Sequence, residues 1–304
     1  MEFELKILGS ASATPVMDRH HTAQLLTVGA SQYLIDCGEG TQRRLLEYKI
    51  RHPRIHTIFI SHLHGDHFFG LFGLLGTMHL HGRTEPLQLF GPPGLDEILT
   101  TQFRYSHTRL NFELLFTAVD TTQHQQIFED KQLTVHTLPM QHRIPCCGYL
   151  FREKPKRRHL IKEQLPAGLT PAQLAALAQG EDVYDPATNA LLVRNADVTT
   201  DPTPSRSYAF CSDTLYLPGL APLLHGVDLL YHEATFSDEM RERAAITHHS
   251  TAHQAALLAK QAQVKQLLIG HFSSRYRDLA PLLAEAQAVF PNTELGVEGK
   301  TVSL

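Results

Sequence analysis

The chain has 304 residues, 42% of them hydrophobic, with a formal net charge of −4 and a pI near 6.6. That length and apolar share suffice for a sizeable core, in one large α/β domain or two smaller ones. The acidic balance does not suggest a general nucleic-acid binder, whose footprint is basic overall, though a local basic patch would still serve, and no apolar run reaches the about 18 residues of a membrane span.

The N-terminus, MEFELKILGS, has no basic stretch followed by an apolar one, so no signal peptide is expected. Residues 3–8 alternate like a strand, and 32–36 end a second one before the turn Cys37-Gly38-Glu39-Gly40. A helix is expected to start at Thr41. Residues 57–60, Thr-Ile-Phe-Ile, read as a buried strand. Residues 68–78 are apolar nearly all round, which suits a buried helix. A strand over 86–90 is stopped by Gly91-Pro92-Pro93-Gly94, and a helix over about 95–103 follows. Residues 133–138 and 148–151 are further strands.

Residues 152–206 differ in texture, with six of the chain's 17 prolines and scarce alternation. Their best-defined piece is a helix with Thr170 as N-cap, Pro171 at the first helical position and Gly180 as the stop. Its apolar side is narrow and alanine-rich, the mark of a helix that docks weakly or on a partner. The segment reads as an arm inserted into one main domain, 1–304. Strands are expected again over 207–211, 228–231 and 266–269, and a helix over 251–263 capped by Ser250 or Thr251. Cys37, Cys146, Cys147 and Cys211 form no CxxC pair, which fits reduced thiols in a cytoplasm.

The strand 57–60 runs into Ser61-His-Leu-His-Gly-Asp-His67. Ionisable groups crowded against a core strand must be solvated, paired or metal-bound. On an extended backbone His62 and His64 share a face, and Asp66 and His67 point back from the next helix. Imidazoles with a carboxylate suit zinc-like divalent ions, and two neighbouring ions would use all four groups well. The bland alternative is a solvated histidine-rich loop. Two ions need further ligands at other strand ends, and His142, Asp213 and His271 each sit just past an apolar strand.

With these residues the chain resembles the metallo-β-lactamase superfamily and, within it, the ribonuclease Z family. Further matches are Leu8-Gly9 with Pro15 and Arg19, Asp36-Cys-Gly-Glu-Gly-Thr-Gln42, His232-Glu-Ala-Thr235, His249-Ser-Thr251 and His271-Phe-Ser-Ser-Arg-Tyr276. The resemblance implies an αββα sandwich with two zinc ions per subunit at the sheet edges. It implies His62, His64 and His142 on one ion, Asp66, His67 and His271 on the other, and Asp213 bridging. It implies Asp66 as the residue that orients or deprotonates the attacking water, and His249, oriented by Glu233, as proton donor to the leaving 3′ oxygen. His249 is preferred to its neighbour His248 only by spacing to Ser250-Thr251. Manganese or iron fits the same donors.

The implied reaction is removal of the 3′ trailer from precursor tRNA, with no membrane involved. It leaves a 3′ hydroxyl on the tRNA and a 5′ phosphate on the trailer. In that family the arm grips the tRNA body and serves the other subunit of a homodimer. Here the arm opens with Arg152-Glu-Lys-Pro-Lys-Arg-Arg-His159, whose Lys156, Arg157 and Arg158 are candidate phosphate contacts. The usual Gly-Pro-rich turn is replaced by Pro166-Ala-Gly-Leu-Thr-Pro171. Arg275 is expected either to meet substrate phosphate or to brace its loop through a salt bridge, and the turn 36–42 either to support the metal-site wall or to meet RNA. The rival readings are a two-metal hydrolase of small phosphodiesters and a non-catalytic, metal-stabilised tRNA-binding scaffold.

Overall fold

The structure, a computed structural model, describes residues 2–304. It divides into two compact units, one running to Arg152 and resuming at Arg206, the other spanning Glu153–Ser205.

Two seven-stranded sheets make the larger unit. In the first, Thr301–Ser303, Phe3–Gly9, Ala23–Val28, Ser31–Ile35, Ile55–Phe59, Leu87–Gly91 and Leu114–Ala118 lie side by side in that order. From Ser31–Ile35 onward the neighbours are parallel. In the second the order is Thr293–Leu295, Gln266–Gly270, Leu229–Glu233, Ser207–Cys211, Cys147–Glu153, Leu133–Pro139 and Gln126–Glu129. Its first four strands are parallel, and Cys147–Glu153 joins them antiparallel.

Alternation along each strand builds the layers. Phe3, Leu5, Ile7 and Phe59 of the first sheet meet Tyr149, Phe151, Phe210 and Tyr231 of the second in one core between the sheets. The opposite faces are covered by helices. Ile58 and Leu89 pack under Leu71, Leu74 and Leu75, while Leu230 and Leu267 pack under Ala252, Ala255 and Ala259. The result is the expected helix–sheet–sheet–helix stack. Strands buried on both faces read as continuous apolar runs, which is why Thr-Ile-Phe-Ile shows no alternation.

The parallel strands deliver their carboxyl ends to one edge, the place where such sheets present ligands. The chain leaves Ile55–Phe59 for His62–His67, Ser207–Cys211 for Asp213, and Gln266–Gly270 for His271. The expected single helix over 68–78 is two pieces, Gly65–Phe68 and Gly70–Leu80. A Cβ at Gly70 would stand 2.0 Å from the Gly38 carbonyl oxygen, and one at Gly38 would stand 2.4 Å from that of Asp66. These close approaches clamp the His-Asp-His loop against the turn after Asp36. The short strands Leu114–Ala118, Gln126–Glu129 and Thr293–Leu295 and the helix Ala280–Val289 were not anticipated. These are edge or peripheral elements with weak patterning, but Ala23–Val28, central in the first sheet and buried along its length, was not anticipated either.

The second unit has its own small core, in which Leu177, Val183, Val193 and Val198 pack with Leu160, Leu165 and Leu169. Its helix, Pro171–Gln179, carries a capping box between Thr170 and Gln173 and ends at Gly180 with φ 97°. The expectation of a weakly docked helix is corrected here, because Leu177 is fully buried in this cluster. Two small ladders, His159–Leu160 with Thr199–Thr200 and Val183–Tyr184 with Leu191–Val193, complete the unit.

Candidate active site and metal centre

His62, His64, His142 and Asp213 bring their ligand atoms together at the sheet edge, and Asp66, His67 and His271 do so beside them. All seven candidate ligands therefore meet. His62 and His67 are fully buried, and Asp66, Asp213 and His271 nearly so.

The outer nitrogen of each ring shows how the inner one is used. His67 Nδ1 donates to Asp36 Oδ2 at 2.7 Å. His142 Nδ1 donates to the His248 carbonyl at 2.9 Å. The Ser61 hydroxyl gives its proton to Asp36 and so accepts from His62 Nδ1 at 3.0 Å. The Thr235 hydroxyl gives its proton to Glu233 and so accepts from His271 Nδ1 at 2.8 Å. With Nδ1 as donor, each Nε2 turns a lone pair inward.

Those lone pairs face one another and face carboxylate oxygens. His62 Nε2 and His142 Nε2 each lie 3.1 Å from His64 Nδ1, and 3.7 and 3.8 Å from Asp213 Oδ2. His67 Nε2 and His271 Nε2 lie 3.4 and 3.2 Å from Asp213 Oδ1, with Asp66 Oδ2 at 3.4 and 3.5 Å. The Nε2 atoms of His67 and His271 and Oδ1 of Asp213 are buried without a hydrogen-bond partner. Facing lone pairs repel unless a cation lies between them. A tetrahedral metal bound at about 2.0–2.1 Å spaces its ligand atoms about 3.3 Å apart, close to what is observed. The residues fit divalent metal, with one oxygen of Asp213 turned to each cluster.

The carboxylates call for positive charge between the two clusters: burial opposes a proton on the His67 ring, yet Asp213, Asp66 and Asp36 outweigh it and raise its pKa well above the ordinary value. Burial keeps the His62 ring neutral. Burial would favour a neutral Asp213, but His271 and His67 outweigh it and hold the carboxyl well below the usual range. Asp66 is likewise lowered, burial being outweighed chiefly by His67.

Glu233 ends the strand Leu229–Glu233, fully buried. Its Oε1 accepts from Thr214 N at 3.0 Å and from His249 Nδ1 at 2.9 Å, and its Oε2 accepts from Thr235 N and Oγ1. Burial opposes a charge on His249, but Glu233 more than offsets this and lifts its pKa to about 9. The turn before it fixes the choice between neighbours. The helix Arg241–Thr247 ends with His248 at φ 59°, where His248 N bonds the Ala245 carbonyl and His249 N the Ala244 carbonyl. This turn sends the His249 ring to Glu233, whereas His248 Nδ1 is buried without a partner.

The cleft over these groups has a volume of about 440 Å³, and its walls include Ser12, Thr14, Phe236, His249 and Arg275. Arg275 is exposed and has no carboxylate partner among the described residues, so the salt-bridge alternative is dropped. The turn that begins at Asp36 braces the histidine cluster, with Asp36 bonding Ser61 and His67. Lys156, Arg157 and Arg158 belong to the second unit. There Lys156 pairs with Glu153 at 2.9 Å and Arg158 with Asp201, leaving Arg157 exposed without an ion pair among the described residues. Ser61, Thr235, Arg143 and Arg243 also take part in the site. Ser61 and Thr235 lie inside motifs that were noticed, but nothing in the spacing marked the two arginines, which line the cleft.

Residues 3–159 match a family model described as Anti-Pycsar protein Apyc1. The chain is 51% identical over 302 residues to a ribonuclease Z of Cytophaga hutchinsonii, covering 99% of this chain and 96% of that protein. Among solved structures it is similar to the short form of human tRNase Z, with a TM-score of 0.69, 27% identity and 98% of each chain covered. It is also similar in fold to YhfI of Bacillus subtilis, a metallo-β-lactamase fold protein, with a TM-score of 0.70, 17% identity and 100% of each chain covered.

Proposed function

This chain belongs to the ribonuclease Z family, and on that footing we propose that it is an endoribonuclease that hydrolyses precursor tRNA just beyond the discriminator base, using two zinc ions per subunit. Its fold is the metallo-β-lactamase sandwich that the sequence led us to expect. The observation that carries the reading is the inward convergence of the imidazole lone pairs on both oxygens of Asp213.

His62, His64 and His142 would hold one ion and Asp66, His67 and His271 the other, with Asp213 shared. When bound, such a pair supplies Lewis acidity to a phosphoryl oxygen and brings the pKa of a water towards neutrality. Manganese or iron would suit the same donors. Asp36, Ser61, Thr235 and the His248 carbonyl lock four of the rings, so the site is organised before substrate arrives. Asp66, ionised beforehand, accepts a hydrogen bond from the attacking water, orients it towards phosphorus and takes up its proton. The P–O3′ bond breaks as the water oxygen bonds to phosphorus. His249, kept charged by Glu233 at neutral pH, gives its Nε2 proton to the departing 3′ oxygen. The products are a 3′ hydroxyl on the tRNA and a 5′ phosphate on the trailer.

Of Lys156, Arg157 and Arg158, Arg157 is the one left to meet a tRNA phosphate, since the other two are already paired. The reading includes a homodimer. Leu46 and Leu80 are 77% and 81% exposed, on the two helices Thr41–Glu47 and Gly70–Leu80 that flank an apolar groove. No described helix is long and apolar enough to cross a membrane, and a tRNA substrate implies the cytoplasm.

The test compares kcat/KM on a 3′-extended tRNA with that on a small model phosphodiester. A preference for the RNA of several orders of magnitude is expected. A preference for the small diester would transfer the reading to a small-substrate hydrolase.

A further inference from the structure

Three guanidinium groups line the cleft, and they come from three separate elements. Arg275 lies past the strand Gln266–Gly270, Arg143 adjoins His142, and Arg243 belongs to the helix Arg241–Thr247 that leads into His249. Arg143 and Arg243 stand on one wall, because Arg143 Nη2 donates to the Ile246 carbonyl of that helix at 3.2 Å. Both side chains are exposed. Arg241 on the same helix is held by both oxygens of Asp238, at 3.0 and 2.7 Å, whereas Arg243 has no carboxylate partner among the described residues. An exposed arginine is most often a solvated surface group. This one lines the cleft of the metal centre beside a second arginine, and that placement asks for an anion.

We propose that Arg243, with Arg143 beside it, binds the RNA phosphate on the 5′ side of the scissile bond and so seats the last nucleotide of the tRNA body. The inference rests on the reading of His249 as donor to the leaving 3′ oxygen. That oxygen belongs to the nucleotide 5′ of the cleaved phosphate, so this part of the strand must pass His249. The helix that runs into His249 then borders its path, with Arg243 facing the backbone. A planar guanidinium fork matches phosphate oxygens two at a time and reads no base, as an enzyme acting on many tRNAs requires. A cleft of about 440 Å³ accepts a ligand-sized piece of single strand and no duplex.

The experiment measures kcat/KM on a 3′-extended tRNA carrying either a normal diester or a neutral methylphosphonate at the phosphate immediately 5′ of the cleavage site. On the normal RNA, Arg243→Ala lowers kcat/KM roughly 10- to 100-fold, and Arg243→Lys recovers part of the loss. Arg241→Ala, an equal change of charge on the same helix, leaves turnover unchanged. On the methylphosphonate RNA the wild type is already slow, and Arg243→Ala costs less than about threefold more, since the shared contact is gone. Equal losses from Arg243→Ala on both RNAs would overturn the proposal. A wild-type protein that cuts neither RNA would remove the ribonuclease reading, and this inference with it. That outcome is distinct from a cleaving enzyme indifferent to Arg243.

Discussion

Nδ1 of His249 lies 2.9 Å from Oε1 of Glu233, a carboxylate fully buried at the end of its strand. His248, one residue earlier, points its ring elsewhere and gives the site only its backbone carbonyl. The two histidines therefore predict different mutational outcomes. His249→Ala should lower kcat on precursor tRNA by roughly 10²- to 10⁴-fold while tRNA binding persists. His248→Gly should keep kcat within a few-fold of wild type. It should also raise stability by about 1 kcal/mol, since glycine adopts the left-handed conformation without strain. Steady-state kinetics and thermal unfolding of the two variants check this, and the opposite ranking would exchange their roles.

Asp36 touches no substrate, yet it fixes the His67 ring and the Ser61 hydroxyl. Asparagine tolerates the left-handed backbone at this position (φ 55°), so Asp36→Asn should fold. Losing the carboxylate that orients a proposed metal ligand should weaken metal affinity by roughly 10- to 100-fold. Chelator competition reads this directly. Unchanged affinity would mean that His67 is held by packing alone.

Asp228 couples acid to stability away from the cleft. Burial would raise its pKa, but Lys265 at 2.6 Å and the Ser207 N–H and hydroxyl, each at 2.7 Å, hold it below the usual value. Because the folded pKa is depressed, the stabilisation is fully present above the unfolded value of about 3.9 and is lost as pH falls through the folded one. Asp228→Asn should lower stability at pH 7 and flatten the stability–pH curve below about pH 4. Urea titrations of both proteins at pH 7 and pH 3 test it, and parallel curves would contradict it.

The second unit depends on a small cluster around Leu177. Leu177→Ala should cost about 2–5 kcal/mol of local stability there. Hydrogen exchange should then speed up across Glu153–Ser205 while protection of the two large sheets is unchanged. Uniform acceleration across both units would show that they unfold together.

Much of this was legible in the sequence, for identifiable reasons. A strand too apolar to alternate ran directly into His62–His67, so the conflict between burial and charge showed on the page. Thr170, Pro171 and Gly180 announced their helix because caps obey local rules. Spacing to Ser250-Thr251 pointed to His249 over His248 without giving a reason, since the choice is made by a turn closed by bonds to Ala244 and Ala245. Arg243 left no trace either. An exposed helical arginine looks the same in sequence whether it faces water or a cleft. The helix broken at Phe69 was hidden because contact between Gly38 and Gly70 is a tertiary fact.

The central claim is tested most directly by incubating metal-quantified protein with a 3′-extended tRNA and mapping both new ends. The account predicts a single cut beyond the discriminator base, a 3′ hydroxyl and a 5′ phosphate, with activity lost on chelation and restored by zinc. Undiminished cutting after the metal is stripped, or a 2′,3′-cyclic phosphate on the tRNA, would contradict it.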